Sequence, residues 1–183
     1  MKKLLLILVS SIVFLMMLVG CSGTVTPLPP DEEVPAEVLQ LIKEYIGHDH
    51  VVRWADGIVN VYDGTTKSEW TKDILDETNI AIDGPVIFNL SDDYNNSQIK
   101  IIFKDLTGTG MGQATIYFEY SDNEILNVDI EIDPLIGVEQ PLYMCLLLNS
   151  FGIDLFKSVV GLTQEMKTVL YWLYRLEPGY PLI

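Results

Sequence analysis

The sequence predicts an α/β (α+β) domain, a twisted mixed sheet of about five strands packed on helices. Three observations carry that expectation. Segments rich in β-branched and aromatic residues recur between residues 51 and 132, each bounded by Gly, Asn, Asp or Ser. Apolar residues recur at helical spacing before, within and after that series. One segment near the C-terminus, residues 139–156, is apolar nearly all round, the mark of a helix buried on every side.

Taken in order, residues 36–46 put Val38, Leu39, Ile42, Tyr45 and Ile46 at helical spacing. Residues 51–62 read as a strand that enters a turn at Asp63-Gly64. A helix over 68–80 follows, with Trp70, Ile74, Leu75 and Thr78 on its inner face. Strands are expected at 86–90, 98–103, 113–120 and 125–132. In the last of these Val128, Ile130 and Ile132 point one way, and Asn127, Asp129, Glu131 and Asp133 the other. Helices over 139–156 and 163–176 close the chain. The first of them is interrupted by Asn149, Gly152 and Asp154 and is too short for a membrane span. The order β-α-β-β-β-β-α-α describes one domain over 51–183, with 36–50 as a short helix and connector ahead of it.

The N-terminus reads as an export signal over residues 1–20. Lys2 and Lys3 form its basic region and Leu4 to Val19 its apolar run. Leu18-Val19-Gly20-Cys21 resembles a bacterial lipobox, which implies cleavage before Cys21 and a diacylglycerol and palmitate anchor on that residue. Residues 21–35, with Gly23, Pro27, Pro29, Pro30 and Pro35, read as an extended tether. The expected location is the bacterial cell envelope, outside the cytoplasm.

Charge narrows the partners. The chain carries −15, and −17 once Lys2 and Lys3 leave with the signal. Phosphate binding needs a basic surface, so nucleic acid is excluded as a partner class. Adhesion of the domain itself to anionic lipid is disfavoured too, so the lipid chains do the anchoring. With Cys21 acylated, Cys145 is the single remaining thiol and no internal disulfide forms.

Several local patterns have bland readings. His48-Asp49-His50 reads as a polar connector, and Cys145 as a packing residue with no histidine near it in sequence. Gly108-Thr109-Gly110-Met111-Gly112 precedes a strand rather than a helix, so it reads as a flexible loop and not a phosphate cradle. Asp129, Glu131 and Asp133 lack EF-hand spacing and read as a solvated or partly covered polar face.

A family resemblance rests on ordered pieces. Arg53-Trp54-Ala55-Asp56-Gly57 with Ile58 to Tyr62, then Ile101-Ile102-Phe103, Gly112-Gln113-Ala114 and Ile125 to Ile132, resemble the opening, third, fourth and fifth strands of matrixin-like metzincins, a family of zinc metallopeptidases. Gly161-Leu162-Thr163 and Leu170 to Tyr174 are similar to that family's last helix, which follows its Met-turn. The resemblance covers roughly residues 51–178.

What the resemblance implies is mostly loss. The family's active-site helix carries the pattern HExxHxxGxxH: three zinc-binding histidines and a glutamate general base. Here Cys145 holds the first histidine position, Leu146 the glutamate, Asn149 the second histidine and Leu155 the third; only the glycine, Gly152, is kept. Val160 stands where the Met-turn methionine is expected. Catalytic zinc needs three protein ligands, and its water needs a carboxylate to take a proton. The expectation is therefore a pseudopeptidase: not an enzyme, with no metal and no cofactor, binding protein or peptide. The strand beginning Gln113, Ala114, Thr115, Ile116, Tyr117 matches the sheet edge that pairs with substrate in the family. Cys145 and Asn149 should share a helix face, Leu155 should return to it after a turn at Gly152, and no histidine or acid should reach that point. Two rival readings stand beside this one: a hydrolase using other residues, and an envelope protein with no cleft function.

Overall fold

The computed structural model describes residues 33–107, 114–135, 139–154 and 161–182. The expected export signal, Cys21, most of the tether, the Gly108–Gly112 loop, Gln113, Leu155 and Val160 lie outside the described residues.

Helix α1 (Ala36–Ile46) buries Leu39, Ile42 and Ile46, three positions at helical spacing. It stops at Gly47, whose φ of 67° lets its N–H return to the Lys43 carbonyl. The sequence drew this helix ahead of the domain, but its buried side chains belong to the same core as the sheet. The segment after it is also held: the Val51 N–H donates to the Tyr180 carbonyl, and the Gly179 N–H to the Val51 carbonyl.

The strand expected over 51–62 is broken in two, β1 (Arg53–Trp54) and β2 (Gly57–Asp63). The reason is lateral. β1 pairs with the start of β6 (Glu124–Ile132), whereas β2 lies between β3 (Val86–Ser91) and β4 (Ile99–Phe103). Ala55 and Asp56 make the step across. Helix α2 (Ser68–Ile82) connects β2 to β3 and buries Thr71, Ile74, Leu75, Thr78, Ala81 and Ile82; Trp70 is half-buried beside them.

The sheet has six strands among the described residues, one more than expected. Its order is β3-β2-β4-β6, with β1 continuing the β4 side of β6 and β5 (Ala114–Ser121) on the opposite side. All pairings are parallel except β5 with β6. The mixed directions come from that hairpin alone, turned at Asp122-Asn123, both at positive φ.

Helix α3 (Gln140–Ser150) is the central element. Tyr143 to Leu148 are all buried, and Tyr143, Leu147 and Leu148 are at most 1% exposed. It is shorter than the expected 139–156. Phe151 ends it, and Gly152 at φ 91° reverses the chain; a Cβ at Gly152 would stand 3.1 Å from the Val52 carbonyl oxygen. Helix α4 (Gln164–Leu173) is capped by Thr163, whose hydroxyl accepts from the Met166 N–H, and stops three residues before the expected 176. None of the described helices is long and apolar enough to cross a membrane.

The alternation read in β6 holds for Val128, Ile130 and Ile132, which are buried on the helix side. The opposite face is not simply solvated. Asp129 is exposed, but Glu131 is 8% exposed and held by Lys104 at 2.6 Å, and Asp133 is fully buried. Asp133 accepts from the Leu106 and Leu135 backbone N–H groups, so it works as a turn anchor.

Candidate functional site: a cleft under the sheet edge

β5 pairs with β6 alone, so among the described residues its other side is a free sheet edge. Alternation puts Ile116, Phe118 and Tyr120 on the helix side and Thr115, Tyr117 and Glu119 on the other. A bulge between Glu119 and Tyr120 shifts the register, which keeps Tyr120 opposite Ile125 on the helix side.

Beneath those three side chains lies a cavity of about 260 Å3. Ile46 from the end of α1, Val52 and Ile125 are buried and give it an apolar base. Ile116 and Phe118 form one wall, and the Phe118 ring stacks on Tyr120 at 5.5 Å between centroids. Asn149 and Gly152, at the end of α3, form the other. His48, Tyr120 and Asp154 are exposed and bring the polar groups.

Two glycine-terminated helices set this polar rim. Gly47 ends α1 and presents His48; Gly152 ends the turn after α3 and presents Asp154. The two segments touch, since a Cβ on Gly47 would come within 3.3 Å of Asp154 Oδ2. Partial burial raises the Asp154 carboxyl, and His48 opposes that shift. Burial against the cleft also raises the Tyr120 hydroxyl, with Asp154 adding to the effect.

The end of α3 is fixed from outside the cleft. Trp54 Nε1 donates to the Ser150 carbonyl at 2.7 Å, and the Tyr174 hydroxyl to the Phe151 carbonyl at 2.8 Å. Its start is fixed by Asp63, whose carboxylate accepts from Thr65, Thr71 and the Tyr143 hydroxyl. Tyr143 is buried, so its hydroxyl is pushed strongly upward and stays protonated as a donor.

The residues singled out in the sequence are only partly brought together. Asn149, Gly152 and Ile116 line the cavity, while Ala114, Thr115 and Tyr117 lie along β5. Cys145 and Leu146 are 5% and 8% exposed, are packed into α3, and do not line the cavity. Leu155 and Gln113 lie outside the described residues. His48 and Asp154 line the cleft with Asn149, whereas Cys145 does not line it and Leu155 lies outside the described residues, so the described residues do not locate the point at which those three were expected to converge. His48, in the connector between α1 and β1, thus also lines the cleft.

The zinc site implied by the resemblance does not fit these residues. At the α3 positions to which the resemblance assigns two imidazoles and a carboxylate, the chain has a buried thiol, an amide and a leucine. Among the described residues no group of three or more His, Cys, Asp or Glu side chains is placed to hold a metal ion.

His48, Tyr120 and Asp154 were missed because their meeting is tertiary: they come from three elements separated by about seventy and thirty residues. The available signal was a polar side chain directly after a helix-stopping glycine, as in Gly47-His48, or two positions after one, as in Gly152-Ile153-Asp154. Comparison with protein-family models, curated proteins and solved structures finds no match to this chain.

Proposed function

We propose that this chain is a lipid-anchored, metzincin-like pseudopeptidase of the bacterial cell envelope that binds an extended peptide along β5. One observation carries the reading: among the described residues β5 is a free edge strand, and it stands directly over a cleft with an apolar base. A sheet edge binds a partner strand through backbone hydrogen bonds, and a cleft beneath it accepts alternate side chains. The lone antiparallel edge next to the strand that leads into a central buried helix supports the family resemblance. Leu146, buried at the glutamate position, supports the loss of zinc-protease chemistry.

The test is selection of a random peptide library on the full chain in detergent micelles, followed by backbone N-methylation of each position of an enriched peptide. Binding that falls at alternate N-methylated positions is the expected outcome. Failure to enrich any peptide, or indifference of all enriched peptides to N-methylation, overturns the reading.

A second reading is favoured by His48 and Asp154 together: a hydrolase that uses these side chains on a bound water. Cleavage of a quenched fluorescent peptide library, abolished by His48→Ala, would replace the binding reading with this one.

A further inference from the structure

We infer that the cavity under β5 is a pocket for one lysine or arginine side chain of the bound strand. The inference rests on the peptide-binding reading above and adds the chemistry of the peptide.

A strand added to the free edge of β5 continues the sheet, so every second side chain falls on the helix side. There it meets Ile116, Phe118 and Tyr120, the residues that wall the cavity. The volume, about 260 Å3, is below the range of about 300–1,000 Å3 usual for drug-sized ligands. It suits a single long side chain.

The lining is graded. Ile46, Val52 and Ile125 are buried and apolar, and the carboxylate of Asp154 stands at the exposed rim. A short aliphatic side chain would satisfy the base and leave the carboxylate partly desolvated with no new partner. Lysine and arginine match both parts, laying methylenes on apolar surface while the cationic head reaches a carboxylate.

Charge points the same way. Among the described residues Asp154 forms no ion pair with a lysine or arginine. Partial burial raises its carboxyl, a cost that an arriving cation relieves. The chain as a whole, at −15, attracts basic segments over distance. His48 is the opposing group, and it would favour an acidic side chain if it governed the pocket.

The peptides enriched on the full chain in micelles decide the matter. One fixed position, facing the helix side, should carry lysine or arginine, and norleucine there should weaken binding about tenfold. Asp154→Asn should weaken the lysine peptide about tenfold and bind the norleucine peptide no less tightly than the unaltered chain does. Undiminished norleucine binding also reports that the variant is folded; should it not fold, the lysine–norleucine comparison on the unaltered chain decides alone. Enriched peptides with no basic preference, or with an acidic residue at that position, overturn this inference while leaving peptide binding intact. Enrichment of no peptide overturns both.

Discussion

The indole Nε1 of Trp54 donates to the carbonyl oxygen of Ser150 at 2.7 Å, joining β1 to the last residue of α3 across 96 positions of sequence. Both groups are buried. That bond satisfies a carbonyl that a helix end leaves without an intrahelical partner, and it fixes the point at which the chain turns towards Gly152 and Asp154.

Trp54→Phe keeps most of the shape and removes the donor. A buried carbonyl left unsatisfied costs about 1–3 kcal/mol. Urea unfolding should show that loss with the slope unchanged. A midpoint equal to the parent's would mean that the bond does not hold the helix end.

Leu146→Glu places a carboxyl at the position that the proposed resemblance gives to the general base, yet the Leu146 side chain is 8% exposed among apolar neighbours. Burial to that degree raises a carboxyl pKa by up to about 3–5 units, so the group is protonated at neutral pH, at a cost of up to about 4 kcal/mol of stability. The variant should be strongly destabilised and gain no proteolysis. A stable Leu146→Glu protein that cleaves peptides would overturn the assignment of this position.

The core was legible in the sequence because burial leaves a period. Ile42, Ile74 and Val128 each lie on an apolar repeat that local spacing reveals, and Leu147 lies in a run apolar on every side. The step between β1 and β2 was not legible, since Ala55 and Asp56 say nothing about which neighbour each half-strand will find. Helix α3 was read too long because its apolar run continues through Phe151 and Ile153; only the backbone shows that Gly152 adopts φ 91°. The free edge at β5 was expected from the resemblance, but the His48–Asp154 rim depends on two chain ends meeting in space.

Asp154 sets a pH dependence. Its carboxyl is raised in the folded protein, chiefly by its apolar surroundings, so the ionised form is disfavoured by folding. The cost is present above the folded pKa and disappears as pH falls through it. Asp154→Asn should therefore raise the urea midpoint slightly at neutral pH, and by less at pH 3. An equal or lower midpoint for the variant at neutral pH would show that the carboxylate is better solvated than its setting implies.

Anchoring is tested at the other end of the chain. The basic start, the apolar run and Cys21 motivate a lipid anchor. Cys21→Ala should lose palmitate labelling and leave the membrane fraction. Unchanged labelling and detergent partitioning in the variant would rule the anchor out.

Peptide binding at β5 is tested most directly by amide hydrogen exchange across residues 114–121, with and without a peptide selected on the full chain. The amides of an edge strand alternate between those facing β6 and those facing solvent. On binding, the solvent-facing amides between Ala114 and Ser121 should slow at every second residue, while the other edge strand, β3, stays as it was. Slowing confined to other surfaces, with β5 unaffected by a bound peptide, would contradict the assignment of β5 as the binding edge.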